Sequence, residues 1–412
     1  MMKVTFFLNQ FPVASETFVI NQIIGLIKQG VDVNIIATCK GDLNNSHKSL
    51  NDFNLLKLTT YLTDESIHDS KLKVRLKRVL SVAKPKNIAK KISALNINRF
   101  GIHSKSLLLP SIVSNLEKPI SADIFIAHFG TAGVVANKMR ELCLLQGKLV
   151  TVFHGADISV KSILAVFKKD YQELFTSGEM MLPISDLWKE KLIEQGCDEN
   201  KIQLNRMGIN TEKFRCRAYD LPLSTPLEII TVARFIEKKG LDDALHAMKI
   251  LQAQGFKFIY KIVGDGELRP QLEKQIADLE LTQNVSLLGF QPQEKITELL
   301  NGADVFLLPS VTASNGDMEG IPVALMEAMA MGLITVSTYH SGIPELITHN
   351  ESGLLAAEHS PQEIAQEITR LVNGEIDTTQ MRAMAKLKIE HSFEQLKLYK
   401  ELVEILTKLN EL

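Results

Sequence analysis

Two glutamates late in the chain are spaced so that one ligand could meet both. Glu319 and Glu327 are separated by seven residues, and Pro322 suits the first turn of a helix, where its missing N–H would be unpaired anyway. Glu319 is then expected in the loop before that helix and Glu327 inside it. Gly320 and Ile321 offer backbone N–H groups beside the helix N-terminus, which favours an anion. Since carboxylates accept pairs of sugar hydroxyls, the pattern predicts a ligand that carries both hydroxyls and phosphates.

Cationic side chains suited to phosphate follow the first strand-like run of the second half. Arg234 stands at the end of that run, and Lys239 comes five residues later. Arginine binds phosphate through two parallel hydrogen bonds, whereas lysine supplies a point charge. The turn Gly264-Asp265-Gly266 follows the next strand and lets backbone approach a ligand. Taken singly, such residues are usually solvated charges or an ordinary turn, but their order within one βα array makes the set specific.

The sequence gives no sign of a metal site, a disulfide framework or a nicotinamide site. The four cysteines form no CxxC pair and have no histidine cluster nearby; they are Cys39, Cys143, Cys197 and Cys216. No GxGxxG follows a strand, which disfavours an NAD oxidoreductase. No Asp-x-Asp motif stands in a suitable loop, so protein cations are expected to take the place of Mg²⁺. We therefore expect neither a cofactor nor a metal.

The elements that position these residues alternate between strand-like and helix-like segments. In the first half, Val4–Leu8, Val31–Ala37, Ile124–Ala127 and Leu149–Phe153 read as strands, and Glu16–Gln29 has helical periodicity. The second half repeats the scheme, from a strand at 228–232 to one at 334–337. Parallel pairing with right-handed crossovers predicts two doubly wound α/β domains that face a cleft. Ligands bind at the carboxyl ends of such strands, which is where the chemistry is expected.

The chain of 412 residues fits two or three domains, and its net charge of -2 hides an asymmetry. Residues 1–220 contain 30 Lys and Arg against 21 Asp and Glu, a charge of +9, whereas residues 221–412 contain 16 against 27, a charge of -11. Two domains with different partners are expected. The polar stretch 215–226 suggests a boundary at 216/217. No apolar run approaches the ~20 residues that span a bilayer, and Met1–Gln10 reads as a buried strand rather than a signal peptide.

A basic segment lies within the first half. Residues 70–116 contain no Asp or Glu, and Lys71–Lys105 holds eleven Lys or Arg. Apolar side chains recur along its first part at helical spacing, which predicts a cationic amphipathic helix of the kind that lies on an anionic membrane. The alternative is a solvated helix whose apolar stripe joins the domain core. Nucleic acid is a weaker choice because Phe100 is the single aromatic available for stacking.

With these residues assembled, the sequence resembles the family 4 retaining glycosyltransferases, and within them the enzymes of colanic-acid and amylovoran type. The resemblance covers essentially the whole chain. The Glu-x7-Glu element, the Arg234/Lys239 pair and the Gly264-Asp265-Gly266 turn carry it. The narrower match rests on Phe11-Pro12, Ser15-Glu16-Thr17-Phe18, Phe153-His154-Gly155-Ala156-Asp157, Leu182-Pro183-Ile184-Ser185, Gly316-Asp317-Met318-Glu319-Gly320-Ile321-Pro322 and His340-Ser341-Gly342-Ile343-Pro344-Glu345. Many members have Phe-Gly where this chain has Ile321-Pro322, so the donor sugar stays open.

The resemblance implies a GT-B fold, in which two Rossmann-like domains face a central cleft. Residues 1–216 would bind acceptor, with a C-terminal helix (392–412) crossing back onto them, and residues 217–391 would bind donor. The implied donor site comprises Arg234, Lys239, Gly264, Asp265, Gly266, Gly289, Phe290, Glu319, Gly320, Ile321, Pro322, Val323 and Glu327. Of these, Arg234 and Lys239 would bind the diphosphate, Glu319 the transferred sugar, Glu327 the ribose, and Gly289-Phe290 would lie near the base. His154 would stand by the reacting sugar, and the acceptor side would comprise Ser15, Glu16, Thr17, His128 and Asp157.

The resulting expectation is a cytoplasmic glycosyltransferase bound peripherally to the inner face of the plasma membrane. It would move a hexose, with retention, from a nucleotide sugar, expected to be UDP-linked, to a lipid-linked oligosaccharide in bacterial exopolysaccharide biosynthesis. The segment Lys71–Lys105 would contact the anionic membrane surface, and no nucleic acid partner is expected. Two alternatives stay open: a nucleotide-sugar epimerase or hydrolase on the same fold, and a non-catalytic protein that binds sugar nucleotides.

Overall fold

The computed structural model of the protein describes residues 1–13, 16–42, 49–214 and 219–412. Two six-stranded parallel sheets organise it. The strands of the first sheet are β1 (Lys3–Phe11), β2 (Asp32–Lys40), β3 (Thr59–Tyr61), β4 (Ile120–His128), β5 (Leu145–Phe153) and β6 (Met180–Pro183). The strands of the second are β7 (Leu227–Val232), β8 (Phe258–Val263), β9 (Val285–Gly289), β10 (Val305–Leu307), β11 (Ile334–Thr338) and β12 (Leu354–Ala356).

Helices cover both faces of each sheet, as parallel strands with apolar side chains on both faces require. The N-terminal domain has α1 (Thr17–Lys28), α2 (Ser49–Asp52), α3 (Lys71–Ala83), α4 (Ile88–Ala94), α5 (Ile97–Lys105), α6 (Leu108–Asn115), α7 (Gly130–Glu141), α8 (Ala156–Ser159), α9 (Lys161–Ser177) and α10 (Asp186–Glu194). The C-terminal domain has α11 (Leu241–Ala253), α12 (Arg269–Asp278), α13 (Gln293–Asn301), α14 (Val323–Ala330), α15 (Ile343–Leu346), α16 (Pro361–Val372) and α17 (Thr378–Ser392), and α18 (Gln395–Glu411) ends the chain.

The two sheets have the same strand order. The first runs β3-β2-β1-β4-β5-β6, and the second runs β12-β11-β10-β7-β8-β9. In each sheet, the first three strands along the chain lie in order from the centre to one edge. The fourth strand pairs with the first strand on its other side, and the last two continue to the opposite edge. This creates a crevice between β1 and β4 and another between β7 and β10, at the carboxyl ends where open α/β sheets bind ligands. The predicted pair of doubly wound domains is confirmed.

The predicted strands are all present, although several are longer than their apolar runs. Val4–Leu8 is the buried centre of β1, and Ile124–Ala127 is the buried end of β4. Three strands had no counterpart in the sequence prediction: β3, β6 and β12. Each has only three or four residues, which is too short to give a periodic signal.

The chain end returns to the first domain, as expected. Three leucines of α18 lie in the hydrophobic core of the N-terminal domain; they are Leu402, Leu406 and Leu409. The ring of Tyr399 lies directly over Gly25 of α1, where no larger side chain would fit. The amide of Gln395 donates to the carbonyl of Ile209 at 3.0 Å, which fixes where the helix begins. The predicted boundary at 216/217 lies outside the described residues.

The basic segment forms α3, α4 and α5, and its apolar stripe faces outward. Four apolar side chains of α3 are exposed, namely Leu72, Leu76, Val79 and Leu80, and Leu72 is 79% exposed. The opposite face carries basic residues that bind carboxylates of the domain: Lys73 and Lys77 contact Asp69, and Arg78 contacts Glu65. The amphipathic helix is confirmed, and the alternative in which its stripe joins the core is wrong.

Removing a buried side chain from α18 is expected to destabilise the N-terminal domain. Leu402→Ala deletes a fully buried side chain, and such changes cost about 2–5 kcal/mol because a cavity remains. Urea unfolding followed by circular dichroism measures the loss. Leu396→Ala, on the same helix but 39% exposed, is the control and is expected to cost less than about 1 kcal/mol. Equal losses in the two variants would show that α18 is not part of this core.

Candidate active site

The loops at the carboxyl ends of the two sheets meet between the domains. On the N-terminal side, the loop after β5 leads into α8 and α9, and the amide of Lys161 donates to the carbonyl of Asn315 at 3.0 Å. The amide of Met318 donates to the hydroxyl of Ser159 at 3.3 Å. These hydrogen bonds hold the segment 315–319 of the C-terminal domain against the N-terminal domain. The candidate site lies where both crevices open onto this contact.

Glu319 is buried at this contact with two lysines beside it. The ammonium of Lys239 lies 2.5 Å from Oε1, and that of Lys238 lies 3.9 Å from Oε2. Burial on its own raises the pKa of Glu319, but the charges of Lys239 and Lys238 outweigh burial and lower that pKa below its ordinary value. The carboxylate is therefore ionised at neutral pH.

Lys238 is a site residue that sequence reasoning missed. It is buried, and its ammonium donates to Oδ1 of Asp317 at 3.0 Å and to the carbonyl of Met318 at 3.1 Å. It thereby ties the turn after β7 to the segment that carries Glu319. The available signal was its position, because Lys238 and Lys239 share one short 3-10 turn, Glu237–Lys239, at the carboxyl end of β7.

Arg234 is exposed in the cleft and faces the N-terminal domain. Its positive charge acts on Glu16, which precedes α1. Burial raises the pKa of Glu16 to about 7, although Arg234 lowers it in part. The predicted acceptor residue Thr17 is exposed at the start of α1, whereas Ser15 lies outside the described residues.

The turn Gly264-Asp265-Gly266 supports the loop of Arg234. Gly264 has φ +135°, and a Cβ there would overlap the carbonyl oxygen of Ala233. The amide of Phe235 donates to the carbonyl of Asp265 at 2.9 Å. Gly266 packs against Phe235 in the same way. The turn brings backbone close to the cleft and also holds Arg234 in place.

The edge strand β9 ends at Gly289, next to an exposed aromatic ring. The carbonyl of Gly289 accepts from the amide of Gly264 at 2.9 Å, and Phe290 is 83% exposed. The strands β10, β7, β8 and β9 lie side by side in this order. Neighbouring strands are about 4.8 Å apart, so β10 and β9 lie about 14 Å apart at the two ends of this row. A ligand laid along the edge would meet Glu319, then the cations after β7, then Phe290.

The helix α14 begins at Val323, and Pro322 is its cap. Glu327 is half-buried within it, and burial raises its pKa to about 7. Ile321 packs into the core of the C-terminal domain, so its side chain is turned away from the cleft.

Gly320 touches the N-terminal domain. A Cβ at this position would lie 2.8 Å from the carbonyl oxygen of His154 and would overlap Ile184. Only a glycine lets the two backbones come this close. His154 and Glu319, which are 165 positions apart in sequence, are thus brought to one place by the domain contact.

His154 stands in an aromatic cluster and pairs with a second histidine. Its Nε2 lies 3.0 Å from Nδ1 of His128, and its ring lies 4.8 Å from that of Phe18 and 4.5 Å from that of Phe129, measured between centroids. Burial lowers the pKa of His128 to about 3, and burial together with His128 lowers the pKa of His154 well below its ordinary value. Both rings are neutral, so His154 acts through hydrogen bonds rather than as a cation.

Two residues predicted on the acceptor side, His128 and Asp157, are buried. His128 is fully buried, and its Nδ1 lies 3.0 Å from Nε2 of His154. Asp157 is also buried, and its carboxylate accepts from the amides of Gly130 (2.7 Å), His154 (3.0 Å) and Gly155 (2.9 Å). Burial raises the pKa of Asp157 to about 6, although these bonds favour the charged form. Both residues support the His154 loop.

A cavity of about 210 Å³ opens at the carboxyl ends of β1, β4 and β5. Its lining comprises Leu8, Asn9, Gln10, Glu16, Phe129, Thr131, Ala156, Asp157 and Ile163. The side-chain amide of Asn9 donates to the hydroxyl of Thr131 at 3.0 Å. Neither residue was predicted to belong to the site. A larger cavity of about 990 Å³ lies at the opposite edge of this sheet, near Leu145 and Gly147, away from the residues just described.

Comparison with known proteins identifies the family. The chain is 52% identical to the amylovoran biosynthesis glycosyltransferase AmsK of Erwinia amylovora over 411 residues, which is 99% of this chain and 100% of that protein. The chain is a member of the group 1 glycosyltransferases. The family described as Glycosyl transferases group 1 matches at residues 220–388. The putative colanic acid biosynthesis glycosyltransferase WcaL of Escherichia coli is 45% identical over 409 residues, 98% of this chain and 99% of that protein.

The solved structures confirm the fold of this glycosyltransferase. The Anabaena protein HepE, in a complex with UDP and glucose, superposes with a TM-score of 0.70 at 18% identity and covers 99% of this chain and 100% of its own. The predicted GT-B fold and the predicted family are both confirmed. None of the described helices is long and apolar enough to cross a membrane.

The pKa of Glu327 gives a prediction about stability. Because the folded state holds this proton up to about pH 7 and the unfolded state only to about 4.5, the glycosyltransferase loses stability as pH rises through that window. Glu327→Gln removes this loss. Its free energy of unfolding should match the wild type near pH 4.5 and exceed it at pH 8 by at most about 3 kcal/mol.

Urea unfolding at several pH values between 4.5 and 8 measures this difference. Glu401→Gln, which changes an exposed carboxylate of α18, is the control and should follow the wild type throughout. A Glu327→Gln difference that does not vary with pH would contradict a buried, protonated Glu327.

Proposed function

We propose that this glycosyltransferase moves a hexose, with retention of anomeric configuration, from a UDP-linked sugar to a lipid-linked oligosaccharide in exopolysaccharide biosynthesis. The observation that carries the proposal is the ionised Glu319 between Lys239 and Lys238, beside the His154 loop. The names of AmsK and WcaL, which refer to amylovoran and colanic acid, support the pathway. The HepE complex with UDP and glucose makes UDP-sugars the first donors to test.

The donor lies along the carboxyl edge of the second sheet. Its sugar ring contacts Glu319, its diphosphate lies over Arg234 and Lys239, its ribose hydroxyls meet Glu327, and its base stacks on Phe290. The row from β10 to β9 is about 14 Å long, which suits an extended nucleotide sugar. The exposed face of Phe290 and the half-buried carboxylate of Glu327 support this orientation.

The reaction breaks the bond between the anomeric carbon and the diphosphate oxygen and forms a bond from that carbon to an acceptor hydroxyl. The hydroxyl proton passes to the departing phosphate oxygen on the same face. Negative charge grows on the diphosphate, and preorganised cations stabilise it, an effect that usually dominates catalysis. Arg234 and Lys239 supply this charge, so we expect no metal requirement. His154 is neutral and donates or accepts a hydrogen bond at a sugar hydroxyl.

The acceptor enters from the N-terminal domain. The 210 Å³ cavity beside His154 has polar groups suited to hydroxyls, namely Asn9, Gln10, Glu16 and Thr131, together with an aromatic wall at Phe129. Glu16 is half-buried, with its pKa raised by burial to about 7 although Arg234 lowers it in part, and its carboxyl group can bind a hydroxyl of the acceptor. The terminal sugar of the acceptor occupies this cavity.

The outward face of α3 to α5 docks on an anionic membrane that holds the lipid-linked acceptor. The exposed apolar side chains of this face are Leu72, Leu76, Val79, Leu80, Ile88, Ile92, Leu95, Ile97 and Ile102. Exposed cations, Lys71, Arg75 and Lys105, border them. Five of the eleven basic residues in this segment pair with carboxylates (Lys73, Lys77, Arg78, Lys86 and Arg99), so the apolar side chains carry much of the membrane affinity. The proposed location is the inner face of the plasma membrane.

Two substitutions test the donor site. Glu319→Gln and Lys239→Ala should each lower the rate of sugar transfer at least about 100-fold, because each removes a charge placed at the reacting centre. The rate is measured as radiolabelled sugar passing from a UDP-sugar to a membrane extract that contains acceptor. Lys257→Ala, an exposed lysine at the opposite edge of the sheet, is the control.

Wild-type transfer rates in both site variants would refute the assignment of these residues. Free sugar or an epimer formed without acceptor would indicate a hydrolase or an epimerase. Ligand binding by a thermal-shift assay without any turnover would indicate a non-catalytic binding protein.

The membrane proposal is tested with vesicles. Leu72→Gln/Leu76→Gln removes two exposed side chains without touching the core, and it should weaken binding to phosphatidylglycerol-containing vesicles by at least tenfold. Arg75→Gln should weaken it by about fivefold, since each cation contributes about 1 kcal/mol. Co-sedimentation measures both effects. Leu387→Gln, which changes an exposed leucine of α17, is the control, and unchanged binding by the double variant would refute this surface.

A further inference from the structure

The backbone of Glu319 is held from both sides by two neighbouring residues after β11. His340 is fully buried, and its Nε2 accepts a hydrogen bond from the amide of Glu319 at 3.1 Å. The hydroxyl of Ser341 donates to the carbonyl of Glu319 at 2.6 Å. Glu319 is thus fixed through its main chain by residues that do not line the cation cluster.

The hydrogen bonds determine the protonation of His340. A backbone amide can only donate, so Nε2 must carry a lone pair, and the ring proton is on Nδ1. Nδ1 donates this proton to Oε1 of Glu358, and the two atoms are 2.7 Å apart. His340 is therefore a neutral ring that accepts at one nitrogen and donates at the other.

Glu358 connects His340 to the loop that carries Glu319. Its Oε2 accepts from the amide of Thr312 at 2.7 Å, in the segment that follows β10. Thr312 and Glu319 belong to one stretch between β10 and α14 that contains no regular helix or strand. Glu358 and His340, which follow β12 and β11, tie that stretch to the sheet at two points.

The position of the Glu319 carboxylate depends on these ties. A side chain in an irregular loop is placed by its backbone, and a displacement of about 1 Å at a reacting centre can lower a rate about 100-fold. Lys238 also donates to the carbonyl of Met318, but the amide and the carbonyl of Glu319 itself are bound by His340 and Ser341. We propose that His340 and Glu358 are positioning residues that orient Glu319 toward the transferred sugar. This inference rests on the role given to Glu319 in the proposed function.

Variants of His340 separate positioning from general stability. His340→Phe keeps a planar ring but removes both nitrogens, and it should lower kcat for transfer by about 10- to 100-fold. Affinity for the nucleoside diphosphate that the wild type binds, UDP or GDP, should change less than about twofold by calorimetry, because Glu319 contacts the sugar. His340→Gln returns an acceptor oxygen near Nε2 and should restore part of kcat.

Glu358 gives an independent series. Glu358→Ala should lower kcat as His340→Phe does. Glu358→Gln keeps an oxygen for the Nδ1 proton but loses the second acceptor for Thr312, so it should retain more activity than Glu358→Ala. Equal activities of these two variants at equal melting temperature would contradict the relay through His340.

A control and a double variant complete the test. His349→Phe removes a ring nitrogen that likewise accepts a backbone amide, that of Leu355 at 3.0 Å, away from Glu319; it should keep kcat. In the Glu319→Gln background, His340→Phe should add little further loss, because both act through one carboxylate. Wild-type kcat in His340→Phe, or losses that multiply in the double variant, would overturn the inference. Full transfer by Glu319→Gln alone would instead overturn the proposed function.

Discussion

The pairing of a buried carboxylate with two lysines at the domain contact is the interaction on which the rest of the site depends. A buried ion is expensive to remove from water, and it is tolerated only when opposite charge and hydrogen bonds surround it. Lys239 and Lys238 meet this requirement for Glu319, and Glu319 with Asp317 meets it for the lysines. The C-terminal half of the chain, with a charge of -11, thereby places two buried lysines at the domain contact, each paired with a carboxylate.

The scaffold follows from the need to bring these charges together. They come from two segments, after β7 and after β10, that are neighbours only because the strand order turns back between these strands. Close backbone contacts, at Gly264 within the C-terminal domain and at Gly320 against His154, leave no room for larger side chains. The carboxylate is thus held by its charge partners in front and by His340 and Ser341 behind.

The N-terminal domain contributes groups without charge at the contact. His154 and His128 are kept neutral by burial, and the Asp157 carboxylate is occupied by three backbone amides. Three basic residues of this half, Lys73, Lys77 and Arg78, form ion pairs that anchor α3 with its apolar side outward. In the proposed function, donor chemistry and membrane docking are therefore separated: charged residues act in the cleft, and the apolar side chains of α3 to α5 act at the outer face.

The sequence by itself determined the two α/β domains and the family, and it pointed to most residues of the candidate site, because strand periodicity, Glu319, Glu327, Arg234 and Lys239 are local patterns. It could not assign Lys238, His340 or Glu358, since their roles arise from contacts between segments far apart in the chain. It did not show that His128 and Asp157 are buried, because a residue type at a strand end does not reveal whether the side chain faces the cleft or the core. It left the direction of the α3 stripe open for the same reason: periodicity defines a face, and only tertiary packing decides whether that face is buried.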